Sequence, residues 1–196
     1  MQKTRGRPKA FDENEVLAAA MNHFWEHGYE STSLDNLLPV MGIKKSSFYH
    51  SFGSKEKLFS RCLLMYRESV LTQLQSLKVE IGPKKTLLML TEMTIQELKE
   101  TGKVKGCLLA NSSKECYNKY TDLSEQIQSE FNFMHEMFIA FVSEGQSLGE
   151  IHSKRPAKVI SGRYLNSLNG LITTIQAGAS EELIDDIVES LKEILE

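Results

Sequence analysis

The residues best suited to chemistry lie close together in the N-terminal third of the chain. Lys44 and Lys45 precede hydroxyl, aromatic and imidazole side chains, namely Ser46, Ser47, Tyr49 and His50. Lysine attracts phosphate, while short hydroxyl side chains let a backbone approach base edges closely. Ser33 is typical of a helix N-cap, and Gly42 is typical of a turn between two helices. The pattern predicts a helix-turn-helix motif over about 33–52, whose second helix would enter the major groove of DNA.

Basic residues flank this motif on both sides. Arg5 and Arg7 lie in a segment, residues 1–9, that contains no acidic residue. An arginine arm of this kind suits a narrow minor groove, although a solvated tail is the alternative interpretation. Lys55 begins the next predicted helix, where side-chain charge and helix dipole both attract a phosphate. The whole chain has a net charge of −3, so the basic character is local.

Cys107 is a second candidate for chemistry. It lies beside Lys103 and Lys105 at the start of a predicted helix, and both positive charge and the helix dipole lower a thiol pKa. This context predicts a reactive thiolate, and Cys116 is a weaker candidate for a resolving thiol. The alternative, which is common for cysteine, is a small buried apolar side chain.

Patterns that would indicate catalysis are weak. The segment from His23 to His27 matches H-x-x-E-H, an inverted zinc-peptidase motif. Phe24 inside it is needed for a helical core and no third ligand is recognisable, so we interpret the match as chance. Cys107 and His135 lack the third member of a cysteine-hydrolase site. We expect no enzyme activity, no catalytic residue, no metal site and no cofactor.

The sequence around these residues predicts helices only. Apolar residues recur at helical spacing, and no segment alternates with period two. We predict an all-α protein of about nine helices. Residues 1–54 would form an N-terminal arm and a three-helix DNA-binding head, and residues 55–196 a regulatory and dimerisation body.

The body contains candidate residues for a subunit interface and for a ligand pocket. Glycines recur every eight residues in the penultimate helix, and small residues let helices approach closely. The predicted interface residues are Gly162, Leu165, Gly170, Ile187 and Leu191. The predicted pocket residues are aromatic or methionine side chains, namely Tyr66, Phe131, Met134 and Phe138. In both cases plain intrachain core is the alternative.

The head resembles the TetR family of transcriptional repressors. The shared residues are Gly28-Tyr29, Thr32-Ser33, Gly42-Ile43, Phe48-Tyr49 and Phe52-Gly53-Ser54-Lys55-Glu56. The resemblance implies a homodimer whose second short helix contacts palindromic double-stranded operator DNA, with Tyr49 and Lys55 on the DNA backbone. It also implies release by a small-molecule inducer. The Cys107 segment resembles a subgroup in which this cysteine senses electrophiles or oxidants, so release by thiol modification is a second expectation.

Composition sets the remaining expectations. No apolar run reaches the roughly 18 residues of a membrane span, and no secretion signal is recognisable. The three cysteines are widely spaced and do not suggest a disulfide framework. We therefore expect a cytoplasmic protein. A helical protein–protein adaptor is the alternative function, and it would lack salt-sensitive affinity for DNA.

Overall fold

A computed structural model describes residues 11–196, which form nine α-helices and no strand. The helices are α1 (Glu13–His27), α2 (Leu34–Met41), α3 (Lys45–Phe52), α4 (Lys55–Ile81), α5 (Pro83–Thr101), α6 (Leu108–Cys116), α7 (Thr121–Ser147), α8 (Ala157–Gln176) and α9 (Glu181–Ile194). The all-α prediction is confirmed. The predicted contacts of Arg5 and Arg7 lie outside the described residues.

Capping residues bound the first helices, and those of α2 are the predicted Ser33 and Gly42. The carboxylate of Asp12 accepts a hydrogen bond from the Asn14 amide at 2.8 Å and so caps α1. The Ser33 hydroxyl accepts one from the Asn36 amide, and the Asn36 side chain accepts one from the Ser33 amide, which makes a capping box. Gly42 ends α2 with a φ of 64°, a left-handed conformation that glycine adopts at little cost.

The described residues divide into two compact units between Met65 and Tyr66, inside α4. The predicted boundary after residue 54 lies at the start of that helix and stays a prediction. The first unit holds α1, α2, α3 and the beginning of α4. Its buried core includes Phe24, Leu37, Ile43, Phe48, Phe52 and Phe59, while Leu38 is half-buried.

The second unit is organised around α7, which packs against α5, α6 and α8, while α8 also packs against α9. Tyr164 of α8 is fully buried, and its hydroxyl donates to the Leu87 carbonyl and lies 3.0 Å from the Thr91 hydroxyl. Burial raises the pKa of Tyr164, so this hydroxyl stays protonated and able to donate. Within residues 11–196, no helix has both the length and the apolar character needed to cross a membrane.

Candidate nucleic-acid interface

Helix α3 separates its apolar and polar residues onto opposite sides. Phe48 and Phe52, one turn apart, are 1% and 4% exposed and pack into the core of the first unit. A period of 3.6 residues per turn then directs Ser46 and His50 away from that core, and both are exposed. The exposed side of α3 therefore consists of polar side chains that a DNA groove accommodates.

The flanks of this surface are basic and aromatic. Lys44, the N-cap residue of α3, and Lys45 are exposed, and the first turn of α3 has no acidic residue. Ser47 is half-buried, whereas Tyr49 is 51% exposed and its ring meets the Phe48 ring edge-on at 5.4 Å. The structure thus brings the predicted residues from Lys44 to His50 onto one element, with cations at the end where amide groups also attract phosphate. We call the exposed residues Lys44, Lys45, Ser46, Tyr49 and His50 the α3 surface.

Ser33 occupies its predicted position but its hydroxyl is already engaged. It accepts from the Asn36 amide at 3.2 Å and donates to the Asn36 side-chain oxygen at 2.6 Å. The residue is exposed at the start of α2. A contact between this hydroxyl and DNA would have to share or replace the capping bonds.

The contacts of Lys55 depart further from its predicted role than those of Ser33 do. Its ammonium donates to the carbonyl oxygens of Tyr29 and Thr32, each at 2.9 Å, and lies 4.2 Å from the centroid of the Tyr29 ring. The group expected to face a phosphate is therefore bound inside the head. Sequence reasoning missed this contact because the two acceptors lie 26 and 23 residues earlier in the chain.

Comparison with known proteins places this head in a family. Residues 16–62 match the model of the tetR family of bacterial regulatory proteins. The HTH-type transcriptional repressor ComR of Escherichia coli strain K12 is 28% identical over 190 residues, which cover 95% of this chain and 90% of ComR. This chain therefore carries a head of the TetR family of bacterial regulatory proteins. It is accordingly a regulator rather than an enzyme.

The likeness to solved structures extends beyond the head. The reduced form of Escherichia coli NemR has a TM-score of 0.81 at 18% identity, covering 93% of this chain and 96% of that one. A cysteine mutant of the TetR family regulator CifR, complexed with 26-bp double-strand operator DNA, has a TM-score of 0.80 at 23% identity. That match covers 97% of this chain and 100% of the CifR chain. Both units therefore have counterparts in regulators of this fold.

In the second unit, Cys107 lies at the predicted helix start, and it is buried as the alternative interpretation expected. It is the N-cap residue of α6 and is 9% exposed. Burial raises the pKa of the Cys107 thiol, while the Ala110 amide, the Tyr66 hydroxyl and the Leu109 amide oppose the shift. The predicted lowering of the pKa is wrong, because desolvation outweighs the polar groups at this helix start. Cys116 is fully buried as well.

The predicted pocket residues belong to the interior of the second unit. Tyr66, Met134 and Phe138 are buried, and Phe131 is half-buried. The Phe138 ring packs 6.1 Å from the Tyr164 ring. A cavity of about 340 Å³ between α5 and α9 contains none of them, and its lining is Leu88, Thr91, Glu92, Ile95, Gln96, Lys99, Val188 and Lys192. Ligand binding by the four predicted residues stays a prediction.

The predicted interface residues divide between surface and core. Gly170 is exposed, and Gly162, Leu165 and Ile187 are half-buried. Gly170 and Ile187 line a shallow cavity of about 340 Å³ between α8 and α9. Leu191 is 0% exposed within the single chain, so its place in the interface must be corrected. It belongs to the intrachain core, because a fully buried side chain has no surface left for a second copy to contact.

The H-x-x-E-H segment forms a histidine pair on α1. The rings of His23 and His27 lie with centroids 4.4 Å apart, and burial, followed by the charge of His27, lowers the pKa of His23. Throughout the part of the chain that the structure describes, no three His, Cys, Asp or Glu side chains come together as metal ligands would.

Proposed function

We propose that the protein is a homodimeric, cytoplasmic repressor that binds palindromic operator DNA and is released by a small-molecule inducer or by thiol modification. The observation that carries the proposal is the α3 surface, an exposed face without acidic residues opposite two buried phenylalanines. The similarity of this chain to repressors such as ComR, and to CifR in its complex with operator DNA, also supports the proposal.

The chemistry of the α3 surface suits both phosphate and base contacts. Lys44 and Lys45 lie where the first amides of α3 have no partner inside the helix, so charge and dipole act on a phosphate together. Ser46 and His50 extend from the side opposite the core and can contact base edges in the major groove. Tyr49, which is 51% exposed, extends beside them and can contact the DNA backbone.

The homodimer would form through α8 and α9. Gly162, Leu165, Gly170 and Ile187 are the proposed contacts, and the exposed apolar side chains of Val159 and Leu183 lie on the same two helices. An interface related by a two-fold axis would present two copies of α3 to half-sites separated by about 34–36 Å, one turn of DNA. The palindromic operator follows from this symmetry.

Release by thiol modification is proposed for Cys107, with the small-molecule inducer as the other route. The CifR complexes are those of cysteine mutants and the NemR structure is of a reduced form, which supports a role for cysteine chemistry among related regulators. Cys107 is the least buried of the three cysteines. Modification would add volume where the thiol now packs, and a well-packed interior accommodates added volume only by rearrangement.

A salt titration of DNA binding tests this function. Anisotropy with labelled duplexes from the upstream region of the protein's own gene should give an affinity that falls steeply as salt rises, because phosphate contacts release counterions. Lys44→Met should reduce the log–log slope by roughly 0.9, the value for one phosphate contact. Lys99→Met, an exposed lysine on α5, is the matched control and should leave the slope unchanged. Salt-independent binding, or a protein that stays monomeric, would overturn the proposal and favour an adaptor.

A further inference from the structure

The cavity between α5 and α9 has the size of a small-molecule site. Its volume is about 340 Å³, and pockets that hold small ligands begin at roughly 300 Å³. One face of α5 forms the first wall, because the lining residues of that helix recur at three- and four-residue spacing, and α9 forms the second. We call this space the α5–α9 cavity.

Aliphatic side chains of both helices leave apolar surface in the α5–α9 cavity. Leu88 and Ile95 of α5 and Val188 of α9 line it, and each is half-buried. An apolar group placed there would remove this surface from water, which is favourable. The cavity therefore suits a ligand with an apolar part.

Cations outnumber anions along the same lining. It contains Lys99 and Lys192 but a single carboxylate, that of Glu92. Lys192 forms an exposed ion pair with Glu189 of its own helix, and pairs of this kind contribute little. The Lys99 ammonium has no hydrogen-bond or ion-pair partner among residues 11–196. Because Glu92 precedes Lys99 by two helical turns, about 10 Å along α5, an anion at Lys99 would be remote from that carboxylate.

The α5–α9 cavity is connected to both helices of the proposed dimer interface. Val188 of its α9 wall is adjacent in sequence to Ile187, a proposed interface contact. Thr91 of its α5 wall is 3% exposed, and its hydroxyl lies 3.0 Å from that of Tyr164 on α8. Since the Tyr164 hydroxyl gives its only hydrogen to the Leu87 carbonyl, Thr91 is the donor of this bond. A ligand in the cavity therefore contacts α9 directly and α8 through Thr91.

We propose that the α5–α9 cavity binds the small-molecule inducer and that this inducer is an amphipathic carboxylic acid. Its carboxylate pairs with Lys99 and Lys192, and its apolar chain covers the three aliphatic side chains. Tighter binding to the released arrangement of α8 and α9 lowers operator affinity, because a ligand shifts an equilibrium only by its differential affinity for the two states. The inference rests on the proposed release by a small molecule and gives that release a site and a ligand class.

Octanoate is a suitable probe because it combines one carboxylate with a flexible apolar chain. Equilibrium dialysis of the whole chain should show saturable octanoate binding, and weaker binding of 1-octanol and of octylammonium. Lys99→Met should weaken octanoate binding about tenfold, as expected for the loss of a charged hydrogen bond, and Lys99→Arg should retain most of it. The matched control is Lys114→Met, an exposed lysine on α6, which should bind octanoate like the wild-type protein.

Val188→Phe tests the apolar part of the site, because the larger side chain would occupy the space that the ligand chain needs. It should weaken the binding of both octanoate and 1-octanol, whereas Lys99→Met should weaken that of octanoate alone. Absence of saturable octanoate binding, equal binding of the three probes, or wild-type octanoate binding by Lys99→Met would each overturn the inference.

Operator binding in the presence of octanoate tests the assignment as inducer. At a concentration that saturates the wild-type protein in dialysis, operator affinity should fall about tenfold or more, and Lys99→Met should show a smaller fall. Bound octanoate that leaves operator affinity unchanged would overturn the inducer role. Absence of salt-sensitive DNA binding would instead remove the proposed function, whereas the dialysis, which requires no DNA, would still decide whether the cavity is a site.

Discussion

The hydroxyl of Tyr66 on α4 is hydrogen-bonded to the thiol of Cys107 at the start of α6, inside the second unit. Burial raises the pKa of both groups, that of Tyr66 well above its ordinary value. The bond opposes the shift at Cys107, since a donor stabilises the thiolate that deprotonation would leave. The thiol chemistry of this regulator is therefore linked to a residue of α4.

Alkylation of Cys107 should be slow and should depend on this bond. Because its pKa is raised above the ordinary value of 9.0, the native thiol is neutral near pH 8 and its reaction should accelerate as the pH rises. In a Cys62→Ser/Cys116→Ser background, iodoacetamide should modify the native protein more slowly than the urea-unfolded chain. Adding Tyr66→Phe should slow it further, because the substitution removes the donor that lowers the pKa. Equal rates for native and unfolded protein would contradict the burial argument.

Cys107→Ser should leave DNA affinity intact and abolish release by a thiol-reactive agent. Serine nearly preserves the size of the side chain but offers no comparable nucleophile. Anisotropy of a bound operator duplex, followed after addition of an electrophile, measures the effect. The matched control is Cys116→Ser, which should still be released. A Cys107→Ser variant that is released like the wild-type protein would eliminate the thiol route and leave the small-molecule inducer.

The sequence predicted those features that depend on neighbouring residues. Ser33 and Gly42 carry their own conformational preferences, so the beginning and the end of α2 could be located without knowledge of the fold. Phe48 and Phe52 are spaced one helical turn apart, so the buried side of α3, and with it the exposed side, is also a consequence of local sequence. The bounds of α2 and the buried side of α3 therefore follow from local sequence.

Features that depend on distant residues were not predictable in this way. The lysines near Cys107 predicted a lowered pKa, but burial by other helices decides its direction. Lys55 looked free for phosphate because its acceptors lie in another part of the chain. Leu191 and its neighbours on α9 share one apolar pattern, and only packing shows which of them the chain covers itself.

Gly106→Ala should destabilise the second unit more than Gly102→Ala. Both glycines have positive φ, 73° and 69°, so alanine incurs a similar backbone strain of about 1 kcal/mol at each. At Gly106 the new Cβ would also lie 2.5 Å from the Ile172 side chain, whereas at Gly102 it meets nothing within 4 Å. This clash should cost about 1–3 kcal/mol more. Urea unfolding measures the difference, and equal losses would mean that Ile172 moves aside freely.

Ile187→Glu should shift the proposed dimer towards monomer. The residue lines the cavity between α8 and α9, so a second copy seated there would bury the introduced charge. We expect the dimer dissociation constant to rise about 100-fold or more, as measured by sedimentation velocity over a range of concentrations. The control is Val79→Glu on α4, where the side chain is 86% exposed and should tolerate a charge. Identical sedimentation of the Ile187→Glu variant and the wild-type protein would exclude this surface as the interface.

Arg67→Met should lower the free energy of unfolding through its effect on Glu130. The Arg67 guanidinium lies 3.3 Å from the Glu130 carboxylate, whose side chain is 4% exposed. Removing the cation leaves a buried carboxylate without this partner, which costs about 3 kcal/mol where one end of the pair reaches solvent. The double variant Arg67→Met/Glu130→Met should recover most of the loss, because two apolar side chains of similar size need no pairing. Denaturant unfolding of both variants tests the pair, and a double variant no more stable than the single one would show that Glu130 has a further structural role.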